Sequence, residues 1–151
     1  MRTRLTDEER MLRESAAALC AVEFPMERVR RLVEDPGGVS PEAYRTIAVQ
    51  GWLGILVPEE RGGLGLGITE LGIVLEEMGK ALVPGPFLSA ATLGGPAVAL
   101  GANAAVRGRW LEDLSSGARR ATLALLEDAG LPSPQDLEVT ARSAGGGHYV
   151  L

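Results

Sequence analysis

The side chains able to carry out chemistry are few and scattered. One histidine, His148, and one cysteine, Cys20, occur in 151 residues. A metal centre needs several His, Cys or carboxylate ligands at a defined spacing. His148 stands alone behind Gly145-Gly146-Gly147, an exposed or interfacial position, and no metal ligand is assigned. A cysteine becomes a nucleophile when a base or a cation favours its thiolate. Cys20 is flanked by Leu19, Ala21 and Val22, which points to a buried structural thiol, although a pairing with His148 in space stays open. A single cysteine excludes an internal disulfide. Glu59-Glu60 and Glu76-Glu77 could supply acid–base groups, but adjacent carboxylates in a loop and on a helix's polar side are usually solubilising. No Gly-x-Ser-x-Gly occurs. No catalytic residue is assigned.

Gly63-x-Gly65-x-Gly67 is the remaining motif. A dinucleotide fingerprint would need glycine three positions after Gly65, where this chain has Ile68. Structural turns in a close-packed helical domain account for it better.

Composition narrows the classes further. Apolar residues make up 46% of the chain and aromatic ones 4%, so a core is available and must be built from Leu, Val, Ala and Met. The net charge of -5 argues against a dedicated nucleic-acid binder. Lys80 is the only lysine, and the clusters Arg28, Arg30, Arg31 and Arg119, Arg120 are expected at the surface or an interface. The start of the chain does not resemble a secretory signal, and no window offers the roughly 18 to 20 apolar residues needed to span a bilayer. A cytoplasmic location without membrane insertion is the default expectation.

The elements that must position these residues are mainly helical. Thr6 and Glu9 form a capping box, and Leu12, Leu19, Val22, Met26, Val29 and Val33 draw one apolar stripe beyond it. Pro25 should bend or divide that helix, and Asp35 to Gly38 ends it. Ser40-Pro41 starts the next helix, with Ala43, Ile47, Ala48 and Trp52 inward, followed by an extended run from Gly54 to Val57. After the glycine loop, Thr69 is a candidate cap. Ile68, Leu71, Leu75, Met78 and Leu82 form a second stripe, with Glu76, Glu77 and Lys80 away from its centre. Gly72 and Gly79 suggest close approach of a neighbour.

Pro84-Gly85-Pro86 breaks the chain again. The segment from Phe87 to Leu100 is apolar or small on nearly every side, predicting a kinked or divided helix enclosed by others. It suits a cavity wall for an apolar ligand or a central core helix, composition slightly favouring the core. Asn103 caps a further helix carrying Val106, Trp110, Leu111 and Leu114, which stops at Gly117. Residues 121–126, 137–141 and 148–151 suggest three partial strands, with Arg142 to Gly147 as a connecting turn. They leave open edges, as expected for a β domain completed by missing chain or by a partner. The expected fold class is therefore mainly α: a helical bundle over residues 1–117, then the incomplete start of a β domain over residues 118–151.

Read together, these segments resemble the acyl-CoA dehydrogenase family. The resemblance is carried by the run from Gly51 to Gly65, GWLGILVPEERGGLG, and by the later LEEMGK from Leu75 to Lys80. It covers nearly the whole chain. It implies an N-terminal helical domain of an FAD-dependent enzyme that desaturates an acyl-CoA thioester. In that family a C-terminal glutamate removes the α-proton and flavin N5 accepts the β-hydride. That base and most FAD contacts lie beyond residue 151, so cofactor-binding residues here stay unassigned and FAD binding by this chain alone is expected to be weak or absent. What the resemblance does assign is acyl-pocket wall: Phe87, Leu88, Ala90, Ala91 and Leu93, with Ala90 and Ala91 leaving room for a bulky group. Leu82 to Leu88 also resembles the branch acting on steroid-derived acyl-CoAs, often as two-chain heteromers, so a homo- or hetero-oligomer is implied. A non-catalytic subunit of such a heteromer, and an oxidase or monooxygenase on the same scaffold, are the alternatives. One departure stands out: where the family has a Thr-Glu-Pro-like motif, this chain has Leu126 to Pro132, with only Glu127 matching.

Overall fold

A computed structural model describes residues 4–35, 41–101, 103–124 and 138–150. Six α-helices occupy most of it. The first, α1 (Asp7–Glu23), begins as its sequence dictates: Glu9 N donates to Thr6 Oγ1 at 3.1 Å, and Thr6 N donates to Glu9 Oε2 at 2.6 Å. Two amides without helical partners are thereby satisfied. Pro25 divides rather than bends the helix, because α2 (Met26–Glu34) starts afresh behind it. The apolar stripe does not survive that division. Val22, Met26 and Val33 are exposed, and α1 instead buries Glu9, Ala16 and Cys20. A stripe continues across two helices only if they share an axis, and here they do not share one helix.

Helix α3 (Pro41–Val49) buries Ala43, Tyr44, Ile47 and Ala48. The stretch expected to be extended is instead coiled: Trp52–Gly54 makes a 3-10 turn and Ile55 continues in helical backbone. The glycine loop then folds back over it. Leu64 N donates to Gly54 O, Gly65 N to Val57 O and Leu66 N to Ile55 O, all within 2.8–2.9 Å. This contact explains Gly63, where a Cβ would stand 2.0 Å from Val57 O.

Helix α4 (Ile68–Lys80) is capped at Gly67, not Thr69; the Glu70 carboxylate accepts from Gly67 N at 2.9 Å. It packs along α1 and buries Leu71, Ile73, Val74, Glu77 and Met78. Ile68 and Leu82, expected inside, are exposed, whereas Glu77, expected outside, is buried. Gly72 and Gly79 have open space around them, so no neighbour approaches there.

After the Pro-Gly-Pro turn the chain makes one helical turn and then widens into a π-helical segment, Ser89–Gly94, before α5 (Gly95–Gly101). Pro96 lacks the N–H that a regular turn would use, and Gly95 N reaches Ala90 O across the wider turn. The residue at 94 must be small, since a Cβ there would lie 2.6 Å from Ala121 O. This segment is not enclosed: Leu88, Leu93 and Leu100 are exposed along it. Helix α6 (Ala104–Ser115) carries the expected Asn103 cap, with Val106 N donating to Asn103 Oδ1 at 3.0 Å. It ends at Gly117, whose φ of 75° closes the helix.

The core joins Ala16, Cys20 and Phe24 of the first helical region to Tyr44 and Ile47, the Trp52–Ile55 turn, Leu71, Val74 and Met78 of α4, and Phe87, Ala90 and Ala91. The β element is small. Strands β1 (Arg142–Gly145) and β2 (His148–Val150) pair antiparallel about the left-handed Gly146-Gly147 turn, and both are exposed throughout. Residues 138–141, expected as a strand, form none, and the turn is shorter than the Arg142–Gly147 expectation. Residues 121–124 are not strand either. Expectations at residues 36–40, 125–137 and 151, the Leu126–Pro132 departure included, lie outside the described residues.

Candidate functional site

The last turn of α4 and the Pro84–Pro86 turn bound an open groove of about 480 Å³. Leu75, Met78 and Gly79 of α4 line it, with Leu82, Val83 and Gly85 of the turn that follows and Phe87 and Leu88 beyond that turn. Every side chain there is apolar. Two hydrogen bonds of 3.0 Å, Leu82 N to Gly79 O and Val83 N to Met78 O, close α4 in the paired pattern of a Schellman cap. The left-handed residue in that pattern is Leu82, with φ of 51°.

Of the residues the resemblance assigns to an acyl wall, Phe87 and Leu88 line this groove. Phe87 is 3% exposed and anchored in the core, while Leu88 is 60% exposed. Ala90 and Ala91 are packed inside the core, and Leu93 is exposed and lies outside the groove lining. Sequence reasoning did not associate Leu75, Met78, Leu82 or Val83 with them. The stripe spacing placed Leu75 and Met78 on one helix face, but nothing local showed that the later turn would come back beside that face.

The titratable groups are tied up elsewhere. Glu77 is buried between α1 and α4, with Arg13 Nε 3.7 Å away and Lys80 Nζ at 2.8 Å. Lys80 also reaches Glu76 at 2.8 Å. The Lys80 hydrogen bond and charge, with Arg13 adding, hold the Glu76 carboxyl below its ordinary range, and Glu76 then Glu77 raise the Lys80 ammonium. Burial pushes the Cys20 thiol up, and the nearby Glu77 charge pushes it further. Burial likewise raises Tyr44, opposed by the Arg120 guanidinium 5.0 Å from its ring centre. Arg119 stacks 4.5 Å from the Trp110 ring and bonds Asp113 at 2.7 Å. Of these ion pairs, those of Arg13 with Glu76 and Glu77 join α1 to α4, while the Lys80 and Asp113 pairs are local. His148 is exposed on β2. Among the described residues no three His, Cys, Asp or Glu side chains gather as metal ligands.

Two other depressions offer less. One of about 280 Å³ sets Arg61 and Arg107 among Glu60 and Glu112, a mixed field that does not select an anion. A wider one of about 650 Å³ lies between α3 and the Ser116–Ala118 segment, with Arg45 as its single charged side chain. Neither the apolar groove nor the arginine cavity suits the pyrophosphate of the flavin implied by the resemblance. The apolar groove has no charged donor for a pyrophosphate, and the arginine cavity presents carboxylates beside its cations. No helix among the described residues is long and apolar enough to cross a membrane.

Comparison with known proteins bears on this site. Residues 6–118 match the family model described as acyl-CoA dehydrogenase, N-terminal domain. The chain is 35% identical over 120 residues to the acyl-CoA dehydrogenase IpdE2 of Mycolicibacterium smegmatis, covering 79% of this chain and 37% of that protein. An acyl-CoA dehydrogenase from Bacillus anthracis complexed with FAD superposes with a TM-score of 0.81 at 25% identity, over 97% of this chain and 25% of that one. A variant of the Tcur3481-Tcur3483 steroid ACAD gives a TM-score of 0.72 at 30% identity, over 81% of this chain and 33% of that one. The chain thus spans between a quarter and about two fifths of the length of these relatives. With the helical array and its matched span both in view, this chain belongs to the acyl-CoA dehydrogenase family, of which it carries the N-terminal helical domain.

Proposed function

We propose that this chain supplies acyl-pocket wall to an FAD-dependent acyl-CoA dehydrogenase, which removes hydrogens from the α and β carbons of an acyl-CoA thioester. One observation carries this: the groove beside Phe87 and Leu88 is lined entirely by apolar side chains and glycines, in a chain of this family. Such a surface suits hydrocarbon, because covering it removes apolar area from water on both partners. Its size lies within the range typical of small-molecule sites, about 300–1,000 Å³. Phe87 is fixed by the core and Leu88 is left open, so one defines the wall and the other can meet a ligand. Ala90, Ala91 and Leu93 belong to the same proposed wall, the two alanines through the core that also holds Phe87.

In this reading FAD is held by the complete enzyme, which supplies the hydride acceptor, and this chain alone binds it weakly or not at all. The helical unit ends at residue 117 and residues 118–151 begin a β domain. The enzyme acts in the cytoplasm as a homo- or hetero-oligomer. A steroid-derived acyl group is the favoured substrate class, supported by the steroid ACAD among the structural neighbours. Anaerobic titration of the intact protein with straight-chain and steroid-side-chain thioesters tests both levels. Bleaching of the flavin by either supports a dehydrogenase or an acyl-CoA oxidase over a monooxygenase; a clear preference for straight chains removes the steroid assignment, and no bleaching by either thioester counts against the dehydrogenase.

A second reading has its own support. Leu88, Leu93 and Leu100 are exposed on one segment of the chain, and cover of that segment by a partner fits a subunit that shapes a pocket without reacting itself. A flavin-free assembly that still binds thioester would establish that role.

A further inference from the structure

We propose that Leu82 is a specificity-determining residue of this groove, a side chain set in advance to meet the acyl group; this rests on the acyl-wall reading above. Among the described residues, positive φ occurs at eight glycines and at one other residue, Leu82. Glycine enters that region without strain, whereas a side chain there crowds its own backbone. The capping task does not call for leucine. Leu82 N to Gly79 O and Val83 N to Met78 O are backbone bonds, and glycine makes both at lower cost. Core packing does not call for it either, since Leu82 is 60% exposed and stands outside the buried core cluster.

What the leucine does supply is a branched apolar surface on the groove that Val83 and Leu88 also line. The left-handed backbone turns the chain out of α4 at this point, and Pro84 and Pro86 restrict how the following turn can move. Strained, exposed and apolar together, the position is unfavourable in the free chain, and residues held this way cluster at ligand contacts. An acyl hydrocarbon laid in the groove would cover it. The polar cavity near Arg61 offers no such surface, and no charged side chain lines this groove to compete for the ligand.

The test uses the full chain with any subunit that copurifies, titrated with two unreactive CoA thioethers, S-octyl and S-ethyl. The ethyl compound carries the same CoA head but too little hydrocarbon to lie along the groove. Wild type should prefer octyl, and both Leu82→Ala and Leu82→Gly should reduce that preference about tenfold, the scale expected for a few lost methylene contacts. Leu82→Gly should also raise the denaturation midpoint, because it relieves the backbone, whereas Leu82→Ala should not. An unchanged octyl preference in both variants would overturn the role of Leu82 while leaving the wall intact. A lower midpoint for Leu82→Gly would overturn it too, by showing a packing role. Wild type with no octyl preference would remove the acyl wall itself, and Leu82 with it.

Discussion

Gly63 and Gly72 are the same residue type nine positions apart, yet a methyl group added to each meets opposite surroundings. At Gly63 it would overlap Val57 O, and the loop hydrogen bonds to the 54–57 turn would have to open. Gly63→Ala should therefore cost about 1–3 kcal/mol or more. At Gly72 the space is empty and the backbone is an exposed helix interior, so Gly72→Ala should stabilise by about 0.5–1 kcal/mol. Urea midpoints of the two variants check the pair; a shared direction would mean that the loop is not seated as described. Cys20 makes a second case at this scale. It is 2% exposed and its thiol is raised by burial, so the thiolate is scarce and shielded. A disulfide reagent near pH 8 should label the native chain far more slowly than the chain in denaturant, and equal rates would contradict the packing of α1.

Between elements, the α1–α4 seam combines an apolar contact with one charge cluster, and its pH dependence follows from the groups that shift. The folded Glu76 value lies below the ordinary 4.5. Its contribution is thus complete above 4.5 and is lost as acid carries the pH down through the folded value. Lys80 lies above 10.5, so its contribution is complete below 10.5 and fades as the pH rises past it. Cys20, raised from 9.0, favours the folded state while its thiol stays neutral and adds to the loss above pH 9. Stability measured by chemical denaturation should be flat across these groups from about pH 5 to 9 and fall on either side. Replacing Lys80 by Met should make the alkaline arm shallower, leaving the part due to Cys20 and Tyr44; an unchanged arm would remove Lys80 from it. At the start of α1, Thr6→Ala removes the Oγ1 acceptor for Glu9 N and should cost about 1 kcal/mol.

At the scale of the whole molecule, the segment after the Pro84–Pro86 turn presents Leu88, Leu93 and Leu100 to water, as other helices do Val22, Val33, Val49 and Ile68. The groove opens beside this segment, and no acid–base group lines it. The 151-residue chain by itself should therefore show no turnover of any acyl-CoA, even with added FAD, and no stoichiometric flavin by absorbance. Measurable dehydrogenation, or one FAD per chain after gel filtration, would contradict the division of labour proposed above. An environment-sensitive dye such as ANS should bind the isolated chain, and binding should weaken when Leu88, Leu93 and Leu100 are all replaced by Ser.

The sequence by itself determined the features settled within a few residues of chain. The Thr6–Glu9 box, the break at Pro25, the Asn103 cap and the stop at Gly117 all depend on which backbone amides and carbonyls have a local partner, and each stands where its residues placed it. The family was also legible, because the run from Gly51 to Gly65 is a long, distinctive string. Tertiary structure alone decided the rest. Gly54 to Val57 look extended in sequence but coil, with the carbonyls of Gly54, Ile55 and Val57 claimed by a loop about ten residues further on. Glu77 looks like a solvated charge until α1 brings Arg13 across from it. The groove exists only because the turn after α4 returns beside Leu75 and Met78. Periodicity reports which residues share a face; what covers that face is set by a distant segment, through contacts that no local pattern encodes.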